Sequence, residues 1–403
     1  MTKLETYIST LGECAEFSSG GTPSKKNPEY WGGQIPWVSA KDMKQIRLYK
    51  TKDYITKKGA ENGTYVVPEG TILILVRGMT LYNDVPICLT KKDMAFNQDV
   101  KAIKPKPSVV DSEYLVYSLL SNKPYLLSLV DSASHGTGRI HTEIIKAVQI
   151  NLPPLPEQQA IAQALSDADA AIEFCDRLIT KKRNIKQGAM QQLLTGKKRL
   201  PGFSHEWEQK KFYEVTDVIT CGLAATPQYV NESVGIPFLS STNIKNGVIR
   251  WNDYKYISKK LHQNLYKNNP PLRGNILYSR VGTIGEAAII DVDFAFSIYV
   301  SLTLIKPKSI LHNEFLKQLL NSSLYKERAK NQVYVGGGVG NLNVDVVRQY
   351  PIPLPLWEEQ KAIAQVLSDM DTEIEALEQK RDKYKAIKQG MMQELLTGRT
   401  RLV

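Results

Sequence analysis

The sequence predicts an α+β protein in which two similar domains of mixed α/β structure are separated by two long helices that pair as an antiparallel coiled coil. Three observations predict this fold: an internal repeat, a coiled-coil spacing of apolar residues within each copy, and short β-rich runs before each copy. The chain has 403 residues, which suits two or more domains rather than one compact core.

The repeat covers most of the chain. Residues 157–200 and 359–402 align without a gap, with 25 identities in 44 positions. The preceding segments match more loosely, as in IPWVSAKDMK at 35–44 and IPFLSSTNIK at 236–245. GTILILVRG at 70–78 also matches GNILYSRVG at 274–282, if one residue more is allowed in the first. A variable domain followed by a repeated segment therefore occurs twice, which predicts a pseudo-twofold molecule.

Each repeated segment predicts a helix of roughly 55–60 Å. Proline-rich stretches precede both helices, and Gly196 and Gly398 supply the C-terminal stops. Apolar residues alternate in steps of four and three, and this spacing weakens mid-helix. It then resumes at Ile185, Met190 and Leu193 in the first helix and at Ile387, Met391 and Leu395 in the second. The predicted seam consists of Ile161, Leu165, Ile172 and Ile179 in the first helix and of Ile363, Leu367, Met370, Ile374 and Leu377 in the second. One helix cannot bury its own stripe, so the two copies are expected to pair antiparallel.

Four segments follow from this division of the chain. The predicted segments are a first variable domain at 1–152, a first long helix at 153–200, a second variable domain at 201–350 and a second long helix at 351–403. Within the variable domains, runs such as TILILV and SLTLIKP predict strands. SEYLVYSLLSN at 112–122 and NEFLKQLLNSS at 313–323 predict helices that follow the strands.

Composition favours a polyanionic partner such as nucleic acid, because 52 Lys and Arg outnumber 41 Asp and Glu and give a net charge of +11. The four cysteines lie far apart and the five histidines are scattered, so no metal site and no cofactor are expected, and a reducing cytoplasmic setting fits. The N-terminal residues lack the pattern of a secretory signal, and no apolar run is long enough to span a membrane.

Three motifs invite a catalytic interpretation that the residues do not support. Asn269-Pro270-Pro271-Leu272 resembles the motif of amino-group DNA methyltransferases, but leucine replaces the aromatic residue that would stack on a flipped adenine, so a proline turn is favoured. The glycine run at 336–340 lacks the Lys-Ser or Lys-Thr of a P-loop; a phosphate-contacting loop and a plain connection both remain open. The repeated acidic residues are expected to solubilise an exposed helix face; they are Asp167, Asp169, Asp369 and Asp371.

The doubled EQ-x-AIA-x-x-LS-D-x-D and IKQG-x-M-Q-x-LLTG motifs resemble the repeated regions of type I restriction–modification specificity subunits. SGGTPS at 19–24, EYWGGQIPWVSAKDM at 29–43 and NILYSRVGTIGEA at 275–287 resemble target-recognition domains of that family, and the resemblance covers essentially the whole chain. The first domain departs from the pattern at LVRGMTLYN, residues 75–83, which leaves the role of Arg77 open.

The resemblance implies a chain without catalytic residues of its own. Each variable domain would be a target-recognition domain that reads one part of a split sequence in double-stranded DNA, and the helices would act as a spacer. Each half would offer a similar surface to one of two modification (methyltransferase) subunits, and two restriction subunits would complete the endonuclease. Methyl transfer and cleavage would then belong to those partners.

Candidate DNA-binding residues are polar or basic side chains on predicted loops. They are Lys41, Arg139 and His141 in the first domain and Asn243, Lys245, Arg280, Asn341 and Asn343 in the second. For each of them, a solvated surface position or a strand-end hydrogen bond is the alternative. Two other functions stay open on the sequence alone: a self-contained DNA methyltransferase or nuclease, and a coiled-coil scaffold that does not read DNA.

Overall fold

The computed structural model describes residues 7–132, 136–336 and 339–402, which form two compact units of mixed helix and strand. Unit 1 comprises Met1–Asp176 and Gln379–Val403, and unit 2 comprises Arg177–Glu378. Each unit therefore combines one predicted variable domain with parts of both long helices.

The strands of unit 1 are short, and their bounds are β1 Tyr7–Thr10, β2 Ala15–Ser19, β3 Trp31–Val38, β4 Arg47–Leu48, β5 Asp53–Ile55, β6 Val66–Val67, β7 Ile72–Leu75, β8 Arg77–Gly78, β9 Ile87–Thr90, β10 Met94–Phe96, β11 Val100–Pro105, β12 Asp131–Ser132, β13 Gly138–Arg139 and β14 Gln149–Leu152. The helices of its variable domain are α1 Leu11–Cys14, α2 Lys57–Glu61, α3 Ser112–Ser121, α4 Lys123–Ser128 and α5 Thr142–Lys146. The first long helix follows as α6, Leu155–Leu193.

The strands of unit 2 are β15 Glu208–Lys211, β16 Thr216–Cys221, β17 Gly235–Leu239, β18 Ile244–Lys245, β19 Val248–Ile249, β20 Lys255–Ser258, β21 Ile276–Ser279, β22 Ala287–Ile289, β23 Ser297–Ile298, β24 Leu302–Pro307, β25 Val333–Gly336, β26 Val339–Leu342 and β27 Pro351–Leu354. Its helices are α7 Lys259–Tyr266, α8 Asn313–Asn321, α9 Ser323–Asn331, α10 Val344–Arg348 and the second long helix α11, Trp357–Leu395.

The two units share one sheet topology. The order β2-β11-β7-β9 in unit 1 corresponds to β16-β24-β21-β22 in unit 2, and β5-β3-β10 corresponds to β20-β17-β23. β3 pairs with β10 in parallel, and the corresponding strands of unit 2, β17 and β23, are also parallel. The predicted α+β fold with an internal repeat is confirmed.

Both cores are built from a central buried strand and the helix that packs on it. All four residues of β7 are buried, and α3 adds Tyr114 and Leu115 to the same core. In unit 2 the equivalent contributions come from β21 and α8, including Phe315. Strands that are buried along their whole length read as continuous apolar runs, which is why TILILV was recognisable as a strand.

The long helices begin and end close to the predicted positions. Both span 39 residues, and each ends three residues before its predicted glycine stop. Gly196 and Gly398 follow at φ +70° and +72°, the left-handed conformation that terminates a helix. Beyond them Lys198 N donates to Gln192 O at 3.1 Å, and Arg399 N donates to Glu394 O at 3.0 Å.

Segments of the two helices pair antiparallel inside each unit. In unit 1, Glu157 binds Arg401, and Asp169 of α6 binds Lys388 of α11. The residue numbers rise in the first helix as they fall in the second, which is the pattern of an antiparallel pair. In unit 2 the equivalent contacts join Lys186 and Arg199 to Asp371 and Glu359.

Much of the apolar stripe packs against the variable domains. Ile161 and Leu165 are at most 1% exposed and belong to the core of unit 1, while Ile363 and Leu367 belong to the core of unit 2. Further along, Ile179 and Ile374 are buried, and the remaining predicted seam residues are partly buried; these are Ile172, Met370 and Leu377.

The seam is expected to resume at six residues, of which Met190, Leu193 and Leu395 are buried and Met391 is partly buried. The expectation is wrong for the other two, Ile185 and Ile387, because these side chains are 47% and 44% exposed. Seven residues after Ile179 the stripe reaches Lys186, whose side chain is only 15% exposed, and Lys388 is its equivalent in α11. The heptad position that follows Ile179 is therefore occupied by Lys186, which is ion-paired. The residue before it, Ile185, consequently faces outward.

Replacement of Leu165 by alanine tests this assignment of the helix face. Leu165→Ala removes a fully buried side chain from the core of unit 1 and should lower the free energy of unfolding by about 2–5 kcal/mol. Ile185→Ala, on the exposed face, should change it by no more than about 0.5 kcal/mol. Denaturant unfolding of the two variants measures both values, and equal effects would contradict the assigned face.

Candidate nucleic-acid interface

A buried glutamine attaches the start of each long helix to its variable domain. Gln158 is 1% exposed, and its Oε1 accepts from Asp111 N at 2.9 Å. Its Nε2 donates to Pro153 O at 2.8 Å and to Val109 O at 3.2 Å. The side-chain amide thus bonds the helix start to the loop before α3, and it fixes the helix relative to the domain.

The same attachment occurs in unit 2. Gln360 is 1% exposed, accepts from His312 N at 2.8 Å and donates to Pro355 O and Ile310 O, both at 2.9 Å. Two variable domains of different sequence are therefore mounted on their helices through one set of hydrogen bonds.

The glutamate before each glutamine binds an arginine beyond the end of a long helix. Glu359 is 1% exposed, and both of its oxygens accept from Arg199, with Nε and Nη2 each at 2.6 Å. Trp207 Nε1 donates to the same carboxylate at 3.0 Å, and its ring stacks on the guanidinium at 5.3 Å. The hydrogen bond to the carboxylate raises the pKa of Arg199.

Glu157 and Arg401 form the equivalent pair in unit 1, with Nε 2.6 Å from Oε1 and a second bond from Nη2 to Oε2. A buried carboxylate is tolerated only when it is paired and hydrogen-bonded. The Glu-Gln dipeptide of the repeat is thus a structural junction.

The repeated aspartates divide into two classes. Asp167 and Asp369 are exposed, as expected, and each accepts from the glutamine one turn earlier at 2.7 Å. The solubilising role expected for Asp169 is wrong, because its side chain is only 14% exposed and accepts from Tyr117 Oη at 2.7 Å and from Lys388 Nζ at 2.5 Å.

Asp371 is half exposed, but its carboxylate also binds its own unit, accepting from Gln318 Nε2 at 2.9 Å and from Lys186 Nζ at 2.5 Å. In unit 1, burial and the hydrogen bond to Asp169 raise the pKa of Tyr117. The inner aspartate of each copy therefore joins the variable domain to the helices.

The predicted DNA-binding residues of unit 1 all lie on the surface. Lys41 is exposed after β3, in an open cavity of about 550 Å³ that Lys44 and Lys123 also line. Arg139 is exposed on β13, and His141 is exposed immediately before α5 without capping that helix. All three can reach a ligand in solution.

In unit 2, Lys245, Asn341 and Asn343 are exposed. Lys245 lies at a hairpin turn formed by β18 and β19, where Asn246 and Gly247 adopt φ +55° and +77°. Asn343 Oδ1 caps α10 by accepting from Asp345 N at 2.9 Å, which leaves its amide nitrogen for other partners.

Two predicted readers of unit 2 are structural instead. Asn243 is 3% exposed, accepts from Ser240 N at 2.9 Å and donates to Asp253 O at 2.5 Å. Arg280 is 7% exposed, and its guanidinium donates to Leu342 O at 2.8 Å and to Val300 O at 3.4 Å. The expected base contact is not supported for either residue, because both side chains are buried and bonded within the domain.

Backbone hydrogen bonds fix which residues of the two variable domains correspond at residues 70–78 and 274–282. Gly70 N donates to Thr90 O as Gly274 N donates to Ile290 O, and Val76 O and Arg280 O accept from equivalent strands. The two nine-residue segments therefore align without a gap, and the extra residue allowed in the first is wrong. Arg77 is the counterpart of Val281, not of Arg280, and it is exposed.

Tyr334 of β25 is 75% exposed, and no sequence motif indicates this surface position. The stretch from Asn269 to Leu272 forms the loop between α7 and β21, as the proline-turn interpretation predicts. Of the glycine run, Gly337 and Gly338 lie outside the described residues, between β25 and β26.

Among the described residues, no group of three or more His, Cys, Asp or Glu side chains could hold a metal ion. A search of the same residues finds no helix with the length and apolarity needed to cross a membrane. All four cysteines are free thiols.

Comparison with known families agrees with this architecture. The family model of the type I restriction modification DNA specificity domain matches the chain twice, at residues 5–182 and 204–386. These matches cover most of the sequence, and the chain therefore belongs to that family. Its class is that of a non-catalytic specificity subunit of type I restriction–modification systems.

Individual relatives support the assignment. The MjaVIII specificity subunit of Methanocaldococcus jannaschii is 27% identical over 417 aligned residues, which cover 97% of this chain and 92% of the relative. The EcoR124I/EcoR124II specificity subunit of Escherichia coli is 32% identical over 185 residues, covering 45% of this chain and 46% of the relative.

Solved structures show the same fold. The type I system S subunit of M. genitalium matches with a TM-score of 0.60 at 14% identity, covering 98% of this chain and 97% of the other. A chain from a structure on complex assembly and conformational transition of the type I system matches with a TM-score of 0.59 at 17% identity, covering 98% and 99%.

The inner aspartate makes a testable contribution to stability. Asp169→Ala removes the acceptor of the buried Tyr117 hydroxyl and should lower the free energy of unfolding by about 1–3 kcal/mol. Asp167→Ala, at the exposed position of the same motif, should change it by no more than about 0.5 kcal/mol. Thermal or denaturant unfolding gives both values; a harmless Asp169 variant would argue against the junction described above.

Proposed function

We propose that this protein reads a bipartite sequence in double-stranded DNA, one part with each unit, and docks two modification subunits and the restriction subunits of a type I complex. The observation that carries the proposal is the contrast between the junctions and the surfaces of the two units. The junctions are built from the same residues, whereas the exposed faces differ, as Arg139 and Asn341 illustrate at equivalent positions. One scaffold with two different surfaces suits the reading of two different half-sites.

Charge favours DNA as the ligand. The net charge of +11 provides a sequence-independent attraction to phosphates, and Lys41 and Lys44 lie on an open cavity that a DNA strand can approach. Phosphate contacts of this kind position a protein on the duplex, while other side chains read base edges. The predicted residues that remain available for either role are Lys41, Arg139, His141, Lys245, Asn341 and Asn343.

The outward isoleucines support docking of two equal partners. Ile185 and Ile387 are exposed at equivalent positions of the two helices. An exposed apolar residue in the same setting in both copies suits an interface that is used twice. We assign this surface, defined by Ile185 and Ile387, to the modification subunits.

The proposal also places the protein in the cytoplasm, in keeping with four free cysteines. Its central test is DNA binding by the complete complex with modification subunits, combined with sequencing of methylated positions in cells that carry it. A bipartite methylated site is expected, and the isolated chain should transfer no methyl group from a labelled donor. Methylation by the isolated chain would instead favour a self-contained methyltransferase.

A charge on the isoleucine surface should prevent docking. Ile185→Asp together with Ile387→Asp should weaken binding of each modification subunit by about 30-fold or more, as for a hot-spot residue of an interface. Each single variant should impair one of the two docking events. The measurement is co-purification and mass determination of the complex.

The matched control is Ala170→Asp with Thr372→Asp, which adds the same charges at equivalent exposed positions of the same helices. This control should assemble normally. Full assembly of the isoleucine variant would refute the assigned surface without affecting the DNA-reading proposal.

Helix length should set the gap between the half-sites. Four residues inserted after Thr180 lengthen a helix by roughly 6 Å and approximately preserve the phase of its side chains. Because about 34–36 Å of DNA contains 10–10.5 base pairs, the assembled complex should keep both half-sites and favour a gap longer by one or two base pairs. Methylome sequencing shows the gap directly.

A four-residue insertion after Gly202, in the exposed turn beyond the helix, is the control and should leave the gap unchanged. An active Thr180 insertion variant with the original gap would overturn the spacer role of the helices.

A further inference from the structure

One row of side chains crosses the three-stranded sheet of unit 1. In this sheet β13 lies between β12 and β8, and Arg139 is directly opposite Asp131 on one side and Arg77 on the other. Directly opposed residues of antiparallel strands point to the same face of a sheet. All three side chains are exposed, so the row faces outward.

The neighbouring residues of β13 fix this orientation. A Cβ on Gly138 would lie 2.9 Å from Leu81 Cβ and 3.0 Å from Val130 Cγ1, so this position packs against the domain. Ile140, on the other side, is 2% exposed. Since successive residues of a strand point to opposite faces, Arg139 is held outward by two neighbours that must point inward.

Unit 2 carries an equivalent row with different chemistry. Asn341 of β26 is directly opposite Tyr334 on β25 and forms an isolated bridge with Val281 on its other side. The next residue, Leu342, is buried, and its backbone is bound on both sides: Leu342 N donates to Arg280 O, and Leu342 O accepts from Arg280 Nε. The buried arginine thus anchors the strand that presents Asn341.

The side chains of both rows are a poor choice if their only role is to stabilise the fold. Arg77 and Arg139 are directly opposed like charges, which destabilise a sheet. Asp131 lies opposite Arg139 on its other side, but none of the ion pairs among the described residues includes Asp131 or either arginine. In unit 2, Tyr334 exposes 75% of its surface where burial would be favourable. An anionic or hydrogen-bonding ligand would relieve both features.

We propose that these rows are the base-reading elements of the two units. A two-stranded β-ribbon fits the major groove, where arginine binds O6 and N7 of guanine and asparagine binds N6 and N7 of adenine. Unit 1 then reads a guanine with Arg139, supported by Arg77, and unit 2 reads an adenine with Asn341. Tyr334 contacts the neighbouring base, with a thymine methyl group as its best apolar partner. This inference rests on the proposed function.

The test uses the full chain assembled with its modification subunits, and a library of duplexes with randomised half-sites as the probe. Arg139→Gln should reduce the preference for guanine at one position of one half-site by about 5- to 150-fold and favour adenine there. Asn341→Ala should reduce the preference for adenine, by a similar factor, at one position of the other half-site. Methylome sequencing should give the same two changes.

The control variants carry the same types of substitution at residues outside the two rows. Arg399→Gln removes an arginine from unit 1 whose side chain is 70% exposed, and Asn252→Ala removes an exposed asparagine from unit 2. Neither should alter the recognised sequence. Because all substituted side chains are exposed, melting temperatures should stay close to that of the wild type. Arg77→Gln and Tyr334→Ala give a second readout on each row.

Three results would overturn the inference. The first is an unchanged target sequence in both row variants. The second is a uniform loss of affinity for all sequences with a salt dependence reduced by about one phosphate contact, which would make these residues phosphate ligands. The third is a change in both half-sites from a single substitution. Failure of the proposed function is distinguishable, because the wild-type complex would then show no bipartite site at all.

Discussion

The bonded Glu-Gln junction at the start of each long helix is the constraint on which the rest of the architecture depends. Glu157 and Gln158, like their counterparts Glu359 and Gln360, are 1% exposed, and every polar group of the two glutamines has a partner in the domain. Buried polar groups without partners are costly, so moving the helix start away from this position would lose free energy. The orientation of each variable domain on its helix is therefore fixed by side chains that belong to the repeat.

Fixed junctions leave the variable domains free to differ elsewhere. The same strand position is occupied by Val76 in unit 1 and by Arg280 in unit 2, and both residues are buried. The following position carries Arg77 in one unit and Val281 in the other. A basic residue can thus be moved between the interior and the surface while the strand keeps its register, which is how one fold can present two chemically different faces.

The lysine in the apolar stripe of each long helix also determines which neighbouring residue is exposed. Lys186 and Lys388 occupy heptad positions and pair with aspartates that also bind the variable domains. This arrangement turns Ile185 and Ile387 outward at equivalent places. Packing inside each unit and the surface assigned to the modification subunits therefore have a common origin.

The sequence by itself determined the repeat, the two long helices with their glycine stops, the main strands and the family. These features follow from periodicity and local propensity, which depend on residues close together in the chain. Burial of the first part of each stripe, at Leu165 and Leu367, was also predictable from spacing.

Only the tertiary structure decided which polar residues are available to a ligand. Arg280 is bonded to Leu342, 62 residues away, and Asp169 to Tyr117, 52 residues away, so no local pattern indicates that they are occupied. The row at Arg139 and Asn341 likewise depends on strand register between distant segments, since a shift of one residue reverses the face of every side chain. The sequence therefore assigned Arg139 and Asn341 no more weight than the other candidate DNA-binding residues. Strand pairing and burial distinguish them from Asn243 and Arg280, which are buried.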